Sequence, residues 1–156
     1  EGNLLKLEAR LTDAFICDPP AEFNDYAYTR GDVFELFLKA EGDRNYHEIH
    51  VTPSNVLLQL RFTGGCTLPL NANDAKIFER ILESSTERTE DGWVARYTFP
   101  METATTLRPI PRQWRIGCGR YDYRPGGEVI LSNTAPLTVG NFHRYWEWPV
   151  YDLGEG

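Results

Sequence analysis

Apolar and polar residues alternate with a period of two along most of this chain, and clusters rich in Gly, Pro, Asn and Asp separate the alternating runs. This pattern predicts strands with one buried face, joined by turns. Leu5, Leu7, Ala9 and Leu11 alternate with Lys6, Glu8 and Arg10 and predict a first strand. A loop over 17–28 follows and contains Pro19-Pro20. Residues 32–40 predict a strand with Val33, Glu35, Phe37 and Lys39 on one face and Phe34, Leu36 and Leu38 on the other. Runs at 46–52 and 56–62 extend the meander across turns at Glu41-Gly42-Asp43 and Pro53-Ser54-Asn55.

Residues 73–84 fit two templates. Ile77, Ile81 and Leu82 have helical spacing, with Asn73 or Asp74 as the cap. The alternation of 93–99 behind Asp91-Gly92 instead asks for a hairpin partner, which predicts a strand over 80–89 preceded by a helical turn. A helical turn is expected over 100–107, and a long strand over 113–123 with Trp114, Ile116 and Cys118 on one face. Pro125-Gly126-Gly127 turns into a short strand at 129–132, and a final strand is expected near 148–153. Many strands at short spacing, with at most short helical turns, describe an all-β antiparallel sandwich or barrel. No repeat, low-complexity tract or shift in composition marks a boundary, so 1–156 reads as a single domain.

Composition narrows the function classes. The 156 residues are 41% hydrophobic and 13% aromatic, enough for one substantial core. A net charge of −7, from 16 basic and 23 acidic residues, argues against binding to a nucleic-acid backbone. No apolar run approaches the ~20 residues of a membrane span. The chain begins at Glu1 and its only methionine is Met101, the pattern expected of a processed or trimmed product, in which a removed signal peptide would leave no trace. Cys17, Cys66 and Cys118 lack CxxC spacing, so a structural zinc site is not expected, and at most one internal disulfide can form. Cys118 reads as a small core residue.

The order of motifs resembles family 9 carbohydrate-binding modules. Gly31-Asp32-Val33-Phe34-Glu35-Leu36-Phe37-Leu38 is similar to the family's D-x-V-E-x-F strand, and Tyr46 to Pro53 to its Y-x-E-x-x-V-x-P strand. Gly92-Trp93 with Tyr97 to Pro100, Trp114 to Asp122, and Phe142-His143 with Glu147-Trp148 resemble three later motifs in the same order. The resemblance spans roughly residues 5–153. It implies an immunoglobulin-like or jelly-roll-like sandwich and a non-catalytic, extracellular or periplasmic sugar binder, beside or attached to a glycan-degrading enzyme. The wider DOMON-like group offers an alternative, a haem or small-ligand domain using Met101 or His143 as axial ligand. A third reading is a structural or interaction domain whose groove is filled by its own loop.

Sugar rings stack their C–H faces on aromatic side chains, and their hydroxyls need oriented polar partners. The resemblance implies two clamping tryptophans, a glutamate, an arginine and amide groups. Glu35 stands at the glutamate position; its other reading is a solvated strand carboxylate. Thr29 occupies the first clamp position, with Tyr28 beside it as the replacement ring. His50 stands where the family has arginine and Gly117 where it has an amide. The second clamp falls at Phe142-His143, with Tyr145 and Trp146 as further binding candidates. Arg120 is carried over as a polar contact, with an ion pair to Glu35 or Glu48 as its structural reading.

Trp93, Trp114 and Trp148 are expected to be core, Trp148 closing the sandwich. His47 and His50, three apart on a strand, face opposite ways and predict no joint metal site. Structural calcium in acidic loops (Asp18, Glu22, Asp25, Asp43) is implied only by the resemblance, without EF-hand spacing. Arg30-Gly31-Asp32 reads as a turn entering a strand rather than an adhesion motif. No hydrolase, Walker or dinucleotide fingerprint is present, so no catalytic residue is predicted.

Overall fold

The computed structural model describes residues 3–63 and 72–154, so Cys66 lies outside the described residues. Two antiparallel sheets stack as a sandwich. The smaller holds β1 (Leu4–Thr12), β6 (Gly92–Pro100) and β5 (Glu83–Thr89) in the order β1-β6-β5. The larger runs β4 (Leu57–Phe62), β3 (Tyr46–Val51), β2 (Val33–Ala40), β7 (Gln113–Tyr123), β8 (Val129–Asn133), and β9 (Val150–Asp152) also pairs with β7. Helix is confined to short pieces, α1 (Ala72–Ala75), α2 (Met101–Ala104) and 3-10 turns at Ala27–Thr29 and Tyr145–Glu147. Both halves of the reading of 73–84 were needed: α1 is the helical turn, and β5 begins at Glu83 rather than at residue 80.

The alternation read from sequence sorts into two apolar layers. Phe34, Leu36, Leu38, Ile49, Val51, Trp114 and Ile116 face the smaller sheet and meet Trp93, Ala95, Tyr97 and Phe99. Leu5, Leu7, Ala9 and Leu11 close this layer from β1, with Cys118 packed at its margin. Burial raises the Cys118 thiol to a pKa of about 11, so it stays an un-ionised packing group. His47 also points inward, 5.9 Å from the Phe99 ring, and burial holds it at a pKa of about 4, uncharged at neutral pH.

A second layer covers the opposite face of the larger sheet. Phe37, Tyr46, Leu58, Leu60, Phe62 and Trp148 form it, with Tyr26, Tyr28, Phe142 and Tyr145 packed around them. Trp148 therefore closes this outer layer and not the space between the sheets. Its indole lies over Gly117 and donates from Nε1 to the Phe142 carbonyl at 2.8 Å. Because β2 and β3 are covered on both sides, every residue in them is buried, polar ones included. The strands thus carry Glu35, Lys39, Glu48 and His50 out of water, an arrangement that costs free energy unless partners compensate.

Candidate functional site

The cover over the outer face is a single excursion of the chain. After β8, the Thr134 amide donates to the Cys118 carbonyl; the chain returns where the Ile116 amide donates to the Pro149 carbonyl. Both feet thus stand two residues apart on β7, and residues 135–148 form an Ω-loop packed by its own aromatic side chains. Glycines on β7 admit it. A Cβ at 117 would lie 3.1 Å from the Trp148 ring, and a Cβ at 119 would lie 2.9 Å from the Phe142 ring and 2.8 Å from Glu35 Oε2. The position where the resemblance asks for an amide is therefore the notch that seats Trp148.

Register brings the polar groups together under this loop. Glu35 on β2 is the cross-strand partner of His50 on β3 and of Gly119 on β7. Glu48 lies two residues before His50 and points to the same face. His50 Nε2 stands 3.1 Å from Glu35 Oε1 and 2.6 Å from Glu48 Oε1, so one imidazole nitrogen ties two carboxylates. His143 from the loop places Nδ1 3.5 Å from Glu48 Oε2 and 2.9 Å from the Tyr46 hydroxyl. Burial raises the Glu35 carboxyl to a pKa of about 7, opposed by His50 and reinforced by Glu48. Burial would lower His50, but the charges of Glu35 and Glu48 outweigh it and raise its pKa.

Glu35 and Glu48 form the polar floor of a half-open cavity of about 350 Å³, also lined by Phe37, Tyr121, Leu131 and residues 140–143. That volume falls in the lower part of the ~300–1,000 Å³ typical of small-molecule sites. Tyr121 and Phe142 line it with aromatic rings 6.3 Å apart by centroid and set edge-to-face at 80°. A larger cavity of about 470 Å³ opens between β1 and β8, but Phe34 is its only ring, and its Glu8 and Arg120 side chains are engaged in ion pairs. Of these two, the smaller cavity alone joins several rings to buried carboxyl groups.

Of the residues singled out from sequence, Glu35, His50 and His143 converge. Tyr28 stands at the margin, its ring 5.4 Å from His50 and 5.3 Å from Tyr121. Tyr145 and Trp146 do not line the cavity: Tyr145 packs on Tyr46 and Trp148, and Trp146 is half exposed beneath the Arg144 guanidinium. Arg120 is on the wrong face of β7 for an ion pair with Glu35 or Glu48. It binds Asp13 at 2.9 Å and Asp122 at 3.3 Å and donates to the Thr12 carbonyl. Glu48, Tyr121 and Asn141 also line the cavity without having been singled out, and Phe142 does so from the second clamp position. The available signal was the E-x-H repeat on β3 facing Glu35 on β2, which places three ionisable groups on one face.

Among the described residues, two clusters have spacing that suits a metal ion: Glu35–Glu48–His50, and Asp13–Asp32–Asp122. In the second, the Arg120 guanidinium sits where a cation would, and Arg124 bonds Asp122 as well. The loop acids proposed for calcium are dispersed among separate partners: Asp18 with Arg88 and Ser54, Asp25 with Arg30, Asp43 with Thr105. Met101 is buried in the inter-sheet layer, whereas His143 lies on the other side of the larger sheet, in the Ω-loop. Arg30-Gly31-Asp32 is a tied turn, with Asp32 buried and accepting from the Cys17 and Tyr123 amides. The two cavity carboxylates share one imidazole on the same floor, whereas glycoside hydrolysis needs carboxyls flanking a scissile bond.

No family model matches the sequence, and no curated protein matches it. The fold does have solved counterparts. A Bacteroides uniformis protein provisionally described as carbohydrate-binding superposes with a TM-score of 0.70 at 11% identity, over 96% of this chain and 72% of that one. A family 9 carbohydrate-binding module from Caldicellulosiruptor kristjanssonii, solved with cellotriose and with glucose, gives 0.62 at 15% identity. It covers 95% of this chain and 68% or 69% of the module.

Proposed function

We propose, from a fold shared with family 9 carbohydrate-binding modules, that this chain is a non-catalytic domain that takes a soluble saccharide into the cavity beneath its Ω-loop. The observation that carries the reading is the meeting of two aromatic residues, Tyr121 and Phe142, with Glu35, Glu48, Asn141 and His143 around one water-accessible recess. A pyranose needs both, an apolar face to stack and polar groups aimed at its rim. Action outside the cell or in the periplasm, beside a glycan-degrading enzyme, accords with this role.

The test is calorimetric titration of the intact chain against mono- and oligosaccharides, with Phe142→Ala as the site variant. Saturable binding that Phe142→Ala weakens by about tenfold supports the reading, since stacking on an aromatic ring is worth about 1 kcal/mol or more. Absence of any saccharide response overturns it.

A further inference from the structure

The cavity floor sets two carboxyl groups against one imidazole, which reaches only one oxygen of each. Both Oε1 atoms, of Glu35 and of Glu48, converge on His50 Nε2, a nitrogen that carries one hydrogen. The Oε2 atoms are left over. Glu48 Oε2 is buried with no hydrogen-bond partner among the described residues; the nearest imidazole nitrogen, His143 Nδ1, is 3.5 Å away beside the Tyr46 hydroxyl. Glu35 Oε2 lies at the foot of the notch left by Gly119, against the Phe142 ring. Both side chains are more than nine-tenths buried.

Among the described residues, no Lys or Arg lines this cavity. The nearby cations are committed elsewhere: Arg115 to Glu41, Arg144 to Glu147, Lys39 to the Asp43 carbonyl, and Arg120 to Asp13 and Asp122 on the opposite face. His50 therefore offsets one buried carboxylate and leaves the other wanting a cation. A neutral sugar hydroxyl donates a hydrogen bond to such an oxygen but brings no charge. An ammonium group brings three donors and one positive charge.

Resting on the saccharide reading above, we infer that the preferred ligand is an amino sugar with a free ammonium group, held between Glu35 Oε2 and Glu48 Oε2 while its ring meets Tyr121 and Phe142. Acetylation of the amine removes the charge, so N-acetylated sugars bind like neutral ones.

The intact chain is titrated at pH 7 and above, where the Glu35 carboxyl ionises, with glucosamine and fully deacetylated chitosan oligosaccharides, against glucose, cellotriose and N-acetylated chitin oligosaccharides, with and without a chelator. The expected result is a preference of about tenfold or more for the free amines, unchanged by the chelator. In Glu48→Gln the ratio of free-amine to glucose affinity falls to parity. Equal or tighter binding of neutral sugars by the parent chain overturns the inference and leaves the saccharide reading standing, with no need of the variant. A preference lost on chelation overturns it in favour of a bridging metal ion. Competition by cyclohexylamine as strong as that by glucosamine overturns the sugar half of the assignment, and silence with every saccharide overturns both readings.

Discussion

Glu35→Gln provides a direct measure of the charge buried under the Ω-loop. In the folded chain the Glu35 carboxyl holds its proton up to a pKa of about 7, against 4.5 for an ordinary glutamate. The folded state therefore binds more protons than the unfolded chain between those values, and stability falls as pH rises across that window. At 1.36 kcal/mol per pKa unit the whole shift is worth about 3 kcal/mol, and because His50 shares the proton, a loss of about 1–3 kcal/mol is expected. His50 acts in the same direction, since its raised folded pKa gives stability below its unfolded value that is lost as pH rises further. His47 acts in the opposite direction, because its folded pKa is lowered to about 4. Asp32, raised to about 6, adds to the loss. Comparing the variant with the parent at each pH cancels the groups away from the cavity. Glutamine mimics the protonated carboxyl, so the two chains should melt together near pH 5, with the parent about 3–9 °C lower by pH 8. Melting curves that stay parallel from pH 5 to pH 8, or a parent that gains on the variant, would refute a buried carboxylate at this position.

Three further outcomes follow from the packing. Gly119→Ala puts a methyl group against Glu35 and the Phe142 ring; denaturant titration should show a loss of about 1–3 kcal/mol, and calorimetry a loss of saccharide binding. Trp148→Ala empties the notch over Gly117 and unpins the loop, which should cost about 3–5 kcal/mol by the same unfolding assay. Arg120→Met leaves Asp13, Asp32 and Asp122 buried without their main counter-charge, so urea unfolding should register a loss of about 3–5 kcal/mol. Saccharide affinity per folded molecule should be unchanged in that variant, because the cavity lies across the sheet.

The fold was legible because alternation reports which residues share a face, and that survives any error in element boundaries. Val33, Glu35, Phe37 and Lys39 do share one side of β2, and the core positions of Trp93 and Trp114 follow from the same parity. Alternation does not report whether the second face meets water. Glu35 was therefore readable equally as a solvated carboxylate, and only the loop lying over it decides for burial. Arg120 shows the limit of motif transfer: it lies one residue from the parity that would bring it to the site, and a one-residue offset on a strand reverses the face. Tyr145 and Trp146 were drawn in by their place in an aromatic tail, but the local course of the Ω-loop turns Phe142 and His143 toward the cavity. The notches at Gly117 and Gly119 have no counterpart in hydrophobic patterning, since their role is to lack a side chain.

The Ω-loop stands on neighbouring residues of one strand, so its entry and exit coincide in space whatever lies between them. Loops so anchored tolerate replacement at little entropic cost, because the closure distance is fixed by the scaffold. With Trp148 kept as the pin, residues 135–147 thus behave as an exchangeable cassette: new sequences could be selected there to re-tune what the recess admits, while the strand pairings beneath it keep their alignment.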